Sequence, residues 1–127
     1  MPPCPSTAPA VRFQPSPETT RPYAPTVHLT ELQETIAATY GERDRARGTA
    51  ATVAWLCEEL GELAQAVRKG TVEQQRHELS DVLAWLASLA HQLDLSLEDA
   101  AQRYADGCPR CGSIPCSCPS FPLSAER

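Results

Sequence analysis

At 127 residues the chain has room for one domain and little else. Sixteen acids against 11 bases leave a formal charge of -5, which argues against a nucleic-acid binder that works through bulk charge. The longest apolar run falls far short of the roughly 20 residues that a membrane span needs.

The acid excess is confined to the middle of the chain. Residues 28–107 carry seven bases and 14 acids, while residues 1–27 and 108–127 are each net +1. All 12 prolines lie outside residues 26–108. A proline-free stretch rich in Ala, Leu and Glu predicts an all-α fold. The boundaries expected from this are a Pro-rich tail at 1–27, a helical domain at 28–107 and a Cys-rich segment with its own short tail at 108–127. Residues 1–27 cannot bury enough surface to offset the entropy of ordering, so that tail is expected to be disordered. It shows no basic region followed by an apolar stretch, so a cytoplasmic protein is expected.

The first helix is predicted to start with Thr30 as its cap and Gln33 completing a capping box. It places Leu32, Ile36 and Tyr40 on one face, and Gly41 is expected to end it as a left-handed cap. A loop over 41–48 then carries Arg43, Arg45 and Arg47 at alternate positions. The second helix is predicted from Thr49, as N-cap, to Lys69. Its stripe Val53, Leu56, Leu60, Leu63, Val67 is spaced like a bundle seam. Gly70 closes it, and Thr71 caps a third helix bearing Leu79, Val82, Leu83, Leu86, Leu89 and Leu93. Ser96 and Asp99 make a capping box for a fourth helix ending near Gly107. Links this short predict an antiparallel hairpin within a four-helix bundle.

The second helix carries Glu58, Glu59 and Glu62, and the third carries Glu78 and Asp81. Residues three apart are neighbours on a helix, so Glu59 pairs with Glu62 and Glu78 with Asp81. If the turn centres on Gly70, Glu59 and Asp81 lie 11 residues to either side, and Glu62 and Glu78 lie eight. The two acid pairs are then level with each other. Trp55 and Trp85 obey the same mirror at 15 residues and are expected to stack at one end of the acids. They read either as core tryptophans or as a stacking wall beside a ligand. Four carboxylates together raise one another's pKa unless a cation neutralises them, and hard oxygen donors select Mg²⁺, Mn²⁺ or Ca²⁺. A solvated acidic face with surface salt bridges is the plainer reading, yet between residues 48 and 67 there is no base to pair with. Di-iron bundles use Glu-x-x-His, whereas the corresponding positions here are Glu62 and Asp81.

Glu58-Glu59-x-x-Glu62, then 15 residues, then Glu78-x-x-Asp81 resembles the signature of the MazG-type all-α nucleotide pyrophosphohydrolases. The likeness is tightest from Trp55 to Trp85 and extends loosely over residues 29–105. It implies Mg²⁺-dependent (or Mn²⁺-dependent) hydrolysis of a nucleoside triphosphate to the monophosphate and pyrophosphate, as in house-cleaning of the nucleotide pool. It also implies a homodimer or homotetramer of helical bundles. By position it implies Glu59, Glu62, Glu78 and Asp81 as metal ligands. Glu58 would orient or deprotonate the attacking water, or help to hold a second metal. Arg43, Arg45, Arg47, Arg68 and Lys69 are candidates for the outer phosphates, or else ordinary loop and helix-end charge. Trp55 and Trp85 are candidates for the substrate wall. The last helix reads Ala101-Gln102-Arg103-Tyr104 where family members often have Lys and Asn for phosphate and sugar, which leaves the substrate open. A phosphoribosyl-ATP pyrophosphohydrolase shares the fold and metal logic. An oligomeric, non-catalytic helical module with a structural zinc is the alternative from a different class.

Cys108-Pro-Arg-Cys111-Gly112, followed by Cys116-Ser-Cys118, resembles a zinc knuckle. Four thiolates within 11 residues can complete a tetrahedral Zn²⁺ site, with disulfides or a redox pair as the alternative. A reducing compartment favours zinc, and four sulfurs leave no open position, so its role is expected to be structural. Cys57 is expected to be a small core residue. His28, His77 and His91 share no ligand spacing and are expected to have surface roles.

Overall fold

The proline-free stretch folds as four helices: α1 Leu29–Arg47, α2 Thr49–Lys69, α3 Val72–Gln92 and α4 Leu97–Gln102. The computed structural model describes residues 26–119, and no strand occurs among them. The expected disorder of residues 1–25 falls outside the described residues. No described helix is long and apolar enough to cross a membrane.

Helix α3 is the shared wall, packing along both α2 and α1, which touch each other far less. The buried apolar side chains among the described residues are Ala66, Val82, Ala87 and Ala90. Small residues let helix backbones approach closely, and polar ties complete the packing. Gln92 on α3 donates to Thr52 Oγ1 on α2 at 2.8 Å, and Thr52 itself is fully buried. Gln33 on α1 donates to the Leu95 carbonyl at 2.7 Å and accepts from the Leu97 N–H at 2.8 Å. That one amide fastens α1 to the α3–α4 connection.

Three local expectations are corrected. The first helix does not end at Gly41 but runs on to Arg47. The following Glu, Arg and Ala residues favour helix, and the buried faces of Gly41 and Asp44 continue its packed side. The left-handed glycine is Gly48, at φ 83°. The start also differs, since His28 is the N-cap and its N–H is held by Glu31 at 3.1 Å. Gln33 is drawn away by the α3–α4 connection instead of completing a box with Thr30. Gly48 rather than Thr49 caps α2.

The other helix ends follow the predicted signals more closely. Thr71 and Gln74 form a reciprocal capping box on α3. Ser96 accepts the Asp99 N–H at 3.1 Å, although α4 ends at Gln102, short of Gly107. Gly70 does end α2, but in extended backbone at φ -97°.

The stripe on α2 is only partly covered within one chain, with Leu56 and Leu63 half-buried. Val53, Leu60 and Val67 stay 43%, 48% and 63% exposed, and Leu79, Leu83, Leu86 and Leu93 on α3 are exposed as well. Helical periodicity locates an apolar face but does not say whether the same chain or another covers it. Cys57 is likewise exposed, not a core residue.

Gly70 is required by space. A Cβ there would lie 2.8 Å from the Ala66 carbonyl oxygen and 2.9 Å from Ala66 Cα. Both obstacles are backbone, so the α2–α3 turn must shift to admit a methyl group. Gly70→Ala is expected to cost about 1–3 kcal/mol, as overpacking does, measured as a lowered midpoint in chemical denaturation. An unchanged midpoint would show that the turn is looser than this contact requires.

Candidate metal centre

The hairpin brings carboxylates of α2 and α3 together. Glu59, Glu78 and Asp81 each present one oxygen, and these oxygens all lie within 4.8 Å of one another. All three residues are half-buried. Glu59 Oε1 accepts the indole N–H of Trp85 at 3.2 Å, and Asp81 Oδ2 lies 3.4 Å from His77 Nε2. Glu78 Oε2 is buried with no hydrogen-bond partner. Among the described residues no Lys or Arg forms an ion pair with any of the three acids. The trio thus combines three carboxylates, one buried and unpartnered oxygen and, as a basic neighbour, the His77 imidazole beside Asp81.

Glu58 and Glu62 lie outside that trio and are exposed on α2. Glu62 shares a cleft with Lys69 and Glu78. A second cleft, between α1 and α3, is lined by Arg43, Asp81 and Trp85. The acids therefore stand between two grooves, each supplied with a base. Arg45 and Arg68 are exposed. Another cleft, around Gln33, His91 and Asp94, holds none of the clustered acids.

The tryptophans stack as their mirror spacing predicts, with ring centroids 5.9 Å apart and planes 8° from parallel. The Arg47 guanidinium carbon lies 4.7 Å from the Trp85 ring centroid. It is held there by Asp44, whose Oδ1 accepts from Arg47 Nη1 at 2.8 Å. Asp44 is 1% exposed, and its Oδ2 accepts the Ser88 hydroxyl at 2.7 Å. A continuous chain of contacts thus runs Ser88, Asp44, Arg47, Trp85, Glu59.

Asp44 and Ser88 are absent from the expectations drawn from sequence. The signal for Asp44 was available: it follows Leu32, Ile36 and Tyr40 at another four-residue step, once α1 is allowed to continue past Gly41.

At the C-terminal side, the four cysteine sulfurs converge within 4.8 Å of one another. Cys108 and Cys118 are 3.8 Å apart, as are Cys111 and Cys116. The backbone N–H groups of Ser113 and then Ser117, with the Ser117 hydroxyl, pull the Cys111 thiol down to about 5. The N–H groups of Cys111 and Arg110 lower Cys108 as well. The contact with Cys116, followed by burial, pushes Cys118 up to about 12.

Residues 47–110, half of the chain, match the family model of the MazG nucleotide pyrophosphohydrolase domain. That stretch takes in α2, α3 and α4 with all three clustered acids and both tryptophans. No curated protein matches the chain.

The Asp44 contacts carry a prediction of their own. Asp44→Ala leaves the Ser88 hydroxyl and Arg47 without their shared acceptor. Because Arg47 keeps a quarter of its side-chain surface in solvent, the expected loss is about 2–3 kcal/mol, below that of a fully buried pair. Near-ultraviolet circular dichroism of the tryptophan pair should change with it, since Arg47 is released from Trp85. A variant with native stability and an unaltered spectrum would show that Asp44 does not hold Arg47 in place.

Proposed function

Because the chain belongs to the MazG nucleotide pyrophosphohydrolase family, we propose that it is a Mg²⁺-dependent nucleoside triphosphate pyrophosphohydrolase. In this reading water attacks the α-phosphorus, the bond to the bridging oxygen of the β-phosphate breaks, and the products are the nucleoside monophosphate and pyrophosphate. The observation that carries the reading is the trio Glu59, Glu78, Asp81 with its buried, unpartnered Glu78 oxygen. Carboxylate oxygens are the donors that hard divalent ions take, so the residues fit Mg²⁺, with Mn²⁺ as a substitute. When bound, such an ion would neutralise phosphate charge and make its water more acidic.

The chain's own residues divide the remaining work. Glu59, Glu78 and Asp81 would hold the ion, with Glu62 joining from the adjacent turn of α2. Glu58 would orient or deprotonate the attacking water. Trp55 and Trp85 offer a flat apolar wall for the base. Arg43 on one side of the acids and Lys69 on the other suit the outer phosphates. Arg47 is already engaged by Asp44 and Trp85, so in this reading it steadies the stacking wall.

The exposed apolar residues of α2 and α3 support a second proposal about the same enzyme. Among the described residues the buried apolar side chains are three alanines and one valine, short of a core of ordinary size. A second copy laid on the α2–α3 face would cover Val53, Leu60 and Leu83, giving a homodimer or a tetramer built from it.

Pyrophosphate release should be measured with Mg²⁺ over standard, deoxy and modified triphosphates, with phosphoribosyl-ATP in the same panel. Release from a triphosphate, abolished by chelator, is the expected outcome. Turnover of phosphoribosyl-ATP alone assigns the chain to that activity instead, and a folded chain inactive on every compound overturns the reading. Glu78→Gln is expected to lower turnover by about 10²-fold or more and to weaken Mg²⁺ binding in calorimetry. The same change removes one of three like charges, so it should raise the melting temperature of metal-free protein. A loss of turnover with a lowered melting temperature would mean damage to the fold instead of loss of a ligand.

Light scattering at micromolar concentration should give at least twice the mass of one chain. The mass of a single chain would leave the α2 stripe without the proposed cover.

A further inference from the structure

Residues 103–119 carry no regular helix, only turns and bends. The large aliphatic residue of this segment, Ile114, is 79% exposed. Burial therefore cannot order it, and yet four sulfurs meet at one point. We propose that Cys108, Cys111, Cys116 and Cys118 form a closed, four-sulfur zinc site that folds this segment onto the end of α4, separately from the carboxylate centre.

Distance argues for a metal. Zinc–sulfur bonds of about 2.3 Å in a tetrahedron separate neighbouring sulfurs by about 3.8 Å. The Cys108–Cys118 and Cys111–Cys116 separations are both 3.8 Å, and no pair among the four exceeds 4.8 Å. A disulfide would need sulfurs about 2.05 Å apart. Two pairs at van der Waals contact, closing one four-cornered group, leave room for one ion at the centre of all four.

The backbone prepares the same centre. Gly112, at φ 70°, turns the chain so that its N–H reaches the Cys108 carbonyl at 2.7 Å. This puts Cys108 and Cys111 on the inside of one tight turn. The return arm is tied by the Cys108 N–H to the Ser113 carbonyl at 3.3 Å. The Cys118 N–H points at Cys116 Sγ at 3.4 Å. Donors aimed at sulfur stabilise thiolates, the form that binds metal. At Gly107, with φ 108°, Ile114 Cγ1 occupies the space of a Cβ at 2.6 Å. The segment leaves α4 through a joint that only glycine fits.

Ligand softness selects the ion. Four thiolates in a tetrahedron favour zinc or iron over Mg²⁺, whereas the carboxylate trio has the opposite preference. With four protein ligands no position is left for water or substrate, so the site is structural.

The test uses the full chain, expressed and purified under reducing conditions. One zinc per chain by elemental analysis is expected, released when a mercurial titrates the thiols. Zinc should be lost from Cys111→Ser. Replacement by Co²⁺ should give the intense visible absorption of tetrahedral cobalt thiolate. In the zinc form, iodoacetamide should label the exposed Cys57 while sparing all four knuckle cysteines, and stripping zinc from the wild-type chain should expose them. Hydrogen exchange should then rise across 107–118 and leave α1–α3 unchanged. Zinc-free protein in which Cys108, Cys111, Cys116 and Cys118 all react, a pair of disulfides in the reduced preparation, or iron in place of zinc would each overturn the proposal. So would loss of α1–α3 protection on stripping zinc, since the site would then support the whole fold.

Discussion

The connection between α2 and α3 is two residues long, Gly70 and Thr71, and it determines which side chains of the two helices stand opposite each other. A longer link would let the helices slide by a residue or more along their shared face. Here the Gly70 N–H is bonded to the Ala66 carbonyl at 2.7 Å, and Thr71 starts α3 at once through its capping box. The register that follows sets Trp55 against Trp85 and Glu59 beside Glu78 and Asp81. Slippage by one residue rotates a helical side chain by about 100°, enough to separate both the rings and the carboxylates. The acid centre is thus a consequence of turn geometry as much as of acidic composition.

Holding like charges together requires that something else hold the helices. In one chain that role falls to small side chains, Ala66 on α2 and Val82, Ala87 and Ala90 on α3, and to buried polar ties such as Thr52–Gln92 and Asp44–Ser88. This is a modest core: Leu56, Leu63 and Leu89 are half-buried, while Val53, Leu60, Leu79, Leu83 and Leu86 are exposed. The proposed assembly would cover this face with another chain, and the proposed function would place a cation among the carboxylates. The exposed leucines and the unpartnered Glu78 oxygen are the observations on which those two proposals rest.

The sequence was most informative where a physical rule is local. The all-α class, the helix break near residue 70, and the Thr71 and Ser96 caps follow from proline placement, glycine and capping chemistry. The tryptophan stack was legible because a short turn makes mirror positions meet. The same mirror argument pairs Glu62 with Glu78 in height, yet Glu62 is not in the trio. Height along a helix is set by residue count, while inward or outward rotation depends on packing against a third helix, which the count does not contain. Gly41 misled for a related reason. Its local preference is to stop a helix, but α1 continues because Gly41 and Asp44 are buried and Asp44 finds Ser88 and Arg47. The exposure of the α2 stripe was illegible in principle, since periodicity is the same for a face covered by the same chain and one covered by another.

The continuation of α1 also changes what that helix does. As a loop, residues 41–48 would offer three mobile arginines to solvent. As a helix, they place Asp44 at the α3 surface and Arg47 against Trp85. Trp85 in turn donates to Glu59, so the orientation of a clustered acid depends on a residue of α1 that touches no acid of the trio itself. The sequence separation from Asp44 to Ser88 is 44 residues, and the contact forms only once α1 has docked on α3. The stacking wall and the Glu59 carboxylate are therefore set by tertiary packing, while Glu78 and Asp81, one turn apart on α3, are neighbours as soon as that helix forms. The centre accordingly has two halves of different origin. One half is preorganised by a single helix. The other is placed by the buried carboxylate of Asp44 acting through a guanidinium and an indole.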